Sequence, residues 1–111
     1  MIKKIKNKRL CLQGLWWLDE FMNICTNCKI NFIGVHAYAC NATKIMDQLR
    51  MVHQRYHRRV WLTEFACPWS HDPSEQIELL RDLLPQLEAA PWVYRYFHLQ
   101  LIVKQTFIER S

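Results

Sequence analysis

Apolar positions along the chain switch repeatedly between two spacings. Leu15, Leu18, Met22 and Cys25 recur at helical spacing and predict a helix over residues 15–25. Asn27 and the Cys28–Lys29 step end it. Ile30, Phe32, Ile33 and Val35 then form a near-continuous apolar run, which predicts a strand over residues 30–38 covered on both faces. Asn41 or Thr43 can cap the next helix, whose stripe is Ile45, Leu49, Val52 and Tyr56. Residues 60–65 read as a second strand, Val-Trp-Leu-Thr-Glu-Phe. Pro68 and Pro73 bracket a loop. Asp72-Pro73-Ser74-Glu75 is a helix start, with Asp72 as N-cap, Pro73 in the first turn and Glu75 completing a capping box. The expected buried stripe of this helix is Ile77, Leu80, Leu84 and Leu87. Pro85 removes a hydrogen bond and is expected to kink or end it. Residues 93–103, aromatic and β-branched, open a third strand.

The order helix, strand, helix, strand, helix, strand, with helices of crossover length, argues for an α/β fold with βαβ units and a parallel sheet. With 111 residues, half of them apolar, the chain can build one core and not two. Five Trp against two Gly and four Pro exclude disordered, collagen-like and repeat-array readings. No apolar run approaches the ~18 residues of a membrane span, so no membrane partner is expected. The basic start is like the first part of a secretory signal, but Asp19 and Glu20 interrupt the apolar stretch such a signal needs, and none is expected.

Charge changes the picture mainly through its placement. The net charge is +5, and Lys3, Lys4, Lys6, Lys8 and Arg9 supply five of the fifteen basic residues. Without residues 1–9 the balance is ten basic against ten acidic residues. The chain therefore reads as a basic arm, residues 1–9, followed by a neutral body, residues 10–111. Nucleic acid is not expected as a partner of the body, because a binding domain carries its excess charge on a face of the fold. The cluster Arg55, His57, Arg58 and Arg59 reads as a solvated helix end suited to the helix dipole, with a phosphate site as the other reading.

Cys11, Cys25, Cys28, Cys40 and Cys67 are an odd five. Only Cys25 and Cys28 are closely spaced, and no second pair completes a zinc site, so no metal or cofactor is expected. Cys25 falls at the C-terminal end of its helix, which disfavours a thiolate. A structural disulfide and two free thiols both remain open for this pair.

In parallel α/β folds functional groups gather at the C-terminal ends of the strands. The first strand ends in Val35-His36-Ala37-Tyr38, the second in Glu64-Phe65-Ala66-Cys67. A carboxylate inside an apolar strand end costs desolvation unless it is paired or used, which singles out Glu64. His36 and Tyr38 share a strand face. With Glu64 on the neighbouring strand they would form a polar cluster at one rim. Trp61 and Trp69 can serve either as core or as platforms for flat sugar faces.

Those residues resemble a known family. Trp17-Leu18 with Phe21, Cys25-x-x-Cys28-x-Ile30-x-Phe32, His36-x-Tyr38, Val60-Trp61-Leu62-Thr63-Glu64-Phe65-Ala66-Cys67, Leu87-Glu88 and Val93-x-Arg95-Tyr96 are similar, in order, to the glycosyl hydrolase catalytic domain of glycoside hydrolase family 128. The likeness runs over residues 15–96. It departs at Ala37, where the family often has Trp, and after Tyr96.

The resemblance implies retaining hydrolysis of β-1,3-glucan on a (β/α)8 TIM barrel, with an extracellular or cell-wall location. Glu64 matches the nucleophile position. His36 and Tyr38 would line the subsite at the cleaved bond, with Trp61 flanking the nucleophile and Trp69 binding substrate. A complete barrel takes around 250 residues. This chain is therefore expected to be a partial barrel, its last three strands with their helices. The second, acid/base glutamate belongs to an earlier strand without a counterpart here. The expectation is a weakly active or inactive chain unless a second chain completes the barrel. Two competing readings stand beside it: a non-catalytic carbohydrate-binding or basic-arm interaction module, and a thiol or metal protein centred on Cys25 and Cys28.

Overall fold

The computed structural model describes residues 9–97, with side chains from Leu15 onward. The basic arm before Arg9 and the end of the expected third strand, from residue 98, lie outside the described residues. Contacts divide the chain into two compact units, residues 1–30 and 31–111.

The first unit holds helix α1, Arg9–Ile24. It begins a turn and a half before the apolar spacing alone suggests. Trp17 and Phe21 stack one turn apart on it, with ring centroids 5.4 Å apart. Cys25 closes the helix by donating its N–H to the Phe21 carbonyl at 2.9 Å. Cys25 and Cys28 are joined as a disulfide, which selects the first of the two readings left open by their spacing.

The second unit is built as strand β1 (Phe32–Tyr38), helix α2 (Ala42–Tyr56), strand β2 (Arg59–Ala66), helix α3 (Pro73–Ala89) and strand β3 (Val93–Tyr96). The strands pair in sequence order and all run parallel. β2 is therefore the central strand. Each parallel connection needs a crossover, and the two helices supply it. α2 and α3 pack on each other, α2 also against β1 and β2, and α3 against β3.

Between helices and sheet lies the core. Ile45, Leu49, Val52 and Tyr56 of α2 are all buried, as the spacing predicts. Opposite them sit Ile33 and Ala37 of β1 with Val60, Leu62 and Phe65 of β2. Asn41 is the N-cap of α2, and its side chain accepts from the Lys44 N–H at 3.2 Å. At the other end His57 takes the left-handed conformation (φ 56°), and Arg58 donates to the Tyr56 and His57 carbonyls at 3.1 and 3.2 Å. Of the basic cluster, Arg58 thus satisfies carbonyls at a helix terminus.

α3 departs from the expected buried stripe and from the expected capping box. Its buried side chains are Gln76, Leu79, Leu83 and Leu87, while Ile77 is 52% exposed and Leu80 and Leu84 are half-buried. The helix is rotated because a polar residue, Gln76, is turned inward to bond the backbone of Cys67. Pro85 does not end the helix, which runs on to Ala89. The capping box is replaced by another arrangement. Asp72 accepts from the Ser74 N–H at 2.9 Å, but its own N–H is taken by Ser70 Oγ at 3.2 Å, so Glu75 has no donor to return to.

The register shifts twice in the sheet, between β2 and β3 at Val60/Trp61 and between β1 and β2 near the strand ends, and the second shift places the strand-end residues. Val35 pairs with Leu62, but His36 pairs with Glu64, so Thr63 is an extra residue on β2. Such a bulge reverses the side-chain alternation beyond it. Thr63 Oγ1 donates to the Val35 carbonyl at 3.0 Å, which satisfies an acceptor beside the irregularity. Phe65 consequently joins Val60 and Leu62 on the helix side. Glu64 joins Trp61 on the opposite face, the one that α2 and α3 leave open.

Candidate functional site

The open face carries two clusters. Near the start of the strands, Phe32, Trp61 and Tyr94 meet in aromatic contact. Phe32 stacks on Tyr94 at 5.1 Å and Trp61 meets Phe32 edge-on at 5.1 Å. Arg59 and Arg95 lie against the Tyr94 ring at 4.7 and 5.0 Å. Trp61 therefore belongs to a half-buried aromatic group on the open face.

At the C-terminal ends of the strands lies the second cluster. Tyr38 donates its hydroxyl to Glu64 Oε1 in a hydrogen bond. His36 Nδ1 lies 3.4 Å from the same oxygen. His36, Tyr38 and Glu64 are thus brought together at one rim, with one carboxylate oxygen as the meeting point. Glu64 is about one-third exposed and His36 and Tyr38 are more open. Trp69 stands apart from this set. It is 96% exposed, in the loop after β2, and its backbone is in the left-handed region with φ 66°. A non-glycine residue rarely holds that conformation.

Burial raises the Tyr38 hydroxyl from an ordinary value of 10.0 to about 12, and the hydrogen bond and negative charge of Glu64 push the same way. The proton is held because ionising Tyr38 would set a phenolate beside a carboxylate. Below pH 10 the contact contributes fully, and it is lost as the pH rises through about 12, so the rim weakens with rising pH in that window. Absorbance titration of the native chain minus Tyr38→Phe should place this hydroxyl near 12, and Glu64→Gln should bring it part of the way back toward 10. A native value near 10 would contradict the contact. The subtraction is needed because the hydroxyl of Tyr96, bonded to Glu88, is also raised.

Two features of the rim escaped the sequence reading. Cys40 and Cys67, separated by 27 positions, are joined as a disulfide. Cys67 directly follows the end of β2 and Cys40 stands one position further past the end of β1, so the signal was a cysteine just beyond each of two neighbouring parallel strands. Gln76 is the second feature, 3% exposed among apolar neighbours. Its signal was a polar residue in phase with Leu79, Leu83 and Leu87. The Glu75 carboxylate and the two sulfurs place donor atoms within 4.8 Å of one another, but the sulfurs are bonded to each other and so are not available as thiolate ligands.

Comparison with known proteins follows the same outline. Residues 4–109 match the glycosyl hydrolase catalytic core family. Alkali-sensitive linkage protein 1 of Schizosaccharomyces pombe is 35% identical over 69 residues, covering 61% of this chain and 13% of that protein. An endo-β-1,3-glucanase of family 128, subgroup II, from Sorangium cellulosum superposes with a TM-score of 0.67 at 34% identity, over 73% of this chain and 34% of that enzyme. The subgroup I endo-β-1,3-glucanase of Amycolatopsis mediterranei, crystallised in complex with laminarihexaose, gives a TM-score of 0.68 at 27% identity, over 77% of this chain and 41% of the other. The chain therefore spans from about an eighth to two-fifths of the length of these relatives. With a match that runs almost from end to end and a parallel sheet that superposes on these enzymes, the chain belongs to the glycosyl hydrolase catalytic core family and resembles its family 128 β-1,3-glucanases.

Proposed function

We propose that this chain carries the nucleophile side of a retaining β-1,3-glucan hydrolase site, with Glu64 as the nucleophile. The observation that supports it most is the convergence of Tyr38 and His36 on a single oxygen of Glu64. A carboxylate that attacks an anomeric carbon must hold one oxygen in line and keep it there until the glycosidic bond breaks. Two neighbouring side chains directed at one oxygen restrict its rotation. In this reading the Tyr38 proton, held firmly to pH values far above neutrality, donates to the carboxylate without competing as a base. His36 lines the subsite at the scissile bond, and Trp69 offers an apolar face to a glucose ring in a neighbouring subsite.

The same reading makes residues 31–97 the last three strands of a (β/α)8 barrel whose interior is the open sheet face. Trp61, Phe32 and Tyr94 would then be an interior layer below the nucleophile. Retaining hydrolysis needs a second carboxyl ~5–5.5 Å from the first. Among the described residues, Glu88 is engaged with Tyr96 and Asp47 with Arg50. The proton donor is assigned to strands that precede these in the barrel, supplied by a longer or a second chain.

Binding can be tested apart from catalysis. In affinity electrophoresis through a β-1,3-glucan gel, the chain should be retarded relative to a neutral control protein, and Trp69→Ala should remove most of that retardation. Migration of the native chain with the control would sink the assignment of a glucan site to this rim.

A further inference from the structure

We propose that Gln76 and the Cys40–Cys67 disulfide form a clamp whose work is to position Glu64 against Tyr38. This rests on reading that pair as the functional centre. Gln76 reaches from the first turn of α3 to the residue just past the end of β2. Its Oε1 accepts from the Cys67 N–H at 3.0 Å, and its Nε2 donates to the Cys67 carbonyl at 2.7 Å. One side-chain amide thus pairs both backbone groups of a single residue, as another strand would. The sulfur of that residue is bonded to Cys40, two positions beyond Tyr38. Between them, the Ala39 N–H donates to the Ala66 carbonyl at 3.1 Å and carries the ladder past the end of β1.

The ends of both strands are therefore held three ways, by ladder, disulfide and helix, within three residues of Glu64 and Tyr38. Packing alone does not explain the choice of residue. A buried primary amide has to recover its desolvation, and Gln76 does so on the N–H and C=O of buried Cys67, which an apolar side chain of similar volume would leave without these partners. Among the described residues Gln76 is the single buried amide or charged side chain, and its partner Cys67 follows Glu64 at the end of β2. Catalytic geometry is sensitive on this scale, since a displacement of about 1 Å can cost ~10²-fold in rate. Gln76, Cys40 and Cys67 are accordingly positioning residues.

The test reads the rim itself. The Tyr38 titration, taken as the difference from the same variant carrying Tyr38→Phe, reports its contact with Glu64. Among the described residues, the other titratable groups at this rim are His36, beside Glu64, and Glu75, beside the disulfide. Gln76→Met keeps the side-chain length and removes both hydrogen bonds, whereas Cys40→Ser opens the disulfide and leaves Gln76 in place. Each variant is expected to keep a cooperative thermal transition and the native circular dichroism. Each should also lower the Tyr38 midpoint at least as far as Glu64→Gln does. Folded variants in which Tyr38 titrates as in the native chain would overturn the clamp and leave a purely structural role. If Gln76→Met fails to fold, Cys40→Ser decides between the same two outcomes. No glucan enters this measurement. Failure of the chain to bind glucan would sink the functional reading while leaving the titration result standing, and the reverse also holds.

Discussion

Glu64→Gln is expected to abolish glucan hydrolysis in any barrel that this chain completes. The direct measurement places residues 10–111 in frame after the preceding strand–helix units of the Sorangium cellulosum relative and assays release of reducing ends from a laminari-oligosaccharide. The amide keeps the shape and the hydrogen bond from Tyr38 but cannot form the covalent glycosyl intermediate. Loss of a nucleophile or its partner costs on the order of 10⁴-fold or more in enzymes of comparable logic, and that is the drop expected here. The unfused chain should fall at least ~10²-fold below the fusion, since acid assistance to the leaving oxygen contributes ~10²–10⁴-fold. A fusion that keeps its rate with Glu64→Gln would remove Glu64 from the mechanism. An unfused chain that matches the fusion would place the acid within these 111 residues.

Phe65→Ala carries the largest expected effect on stability. Phe65 is fully buried on the central strand, as are Val60 and Leu62 on the same strand and Ile45 and Leu49 of α2. Removing a buried phenyl ring costs about 3–5 kcal/mol, through lost transfer energy and the cavity left behind. Small domains hold ~5–15 kcal/mol in total, so the substitution should take most of the margin. Urea unfolding followed by tryptophan fluorescence should show a strongly lowered midpoint or no cooperative transition. Trp69→Ala is the control, because a fully exposed side chain outside the core should change stability by less than about 0.5 kcal/mol. A loss below 1 kcal/mol for Phe65→Ala would mean that the helix face of β2 is not the centre of the core.

Much of this architecture is legible in the sequence. The stripe Ile45, Leu49, Val52 and Tyr56 needs only the helical period, and all four residues are buried as a set. Asn41 and Asp72 announce their helices because a short side-chain acceptor is what the orphan N–H groups of a first turn require. Alternation of strands and helices is enough for a parallel sheet, since parallel neighbours must be joined by crossovers. In α3 a contact from another element overrules the local period. Apolar periodicity favours a phase that buries Ile77, and the gain from two hydrogen bonds to Cys67 turned Gln76 inward instead.

The site was legible only as a list. Period-two alternation through Val60, Leu62 and Glu64 would place the carboxylate on the helix side, inside the core, where it would be desolvated without a partner. The bulge at Thr63 reverses that. It sends Phe65 into the core and Glu64 out to His36 and Tyr38. Nothing in a single strand marks such a bulge, because it is a mismatch between two strands and exists only once their register is fixed.

The sequence by itself thus determined the elements, their parallel order and the three residue types at the strand ends, because periodicity, caps and crossovers act within a few residues of one another. The tertiary structure decided which face Glu64 occupies, that Cys40 pairs with Cys67, and that Gln76 holds the strand end. Each of these depends on atoms brought together from different strands and helices, and no local pattern specifies their meeting.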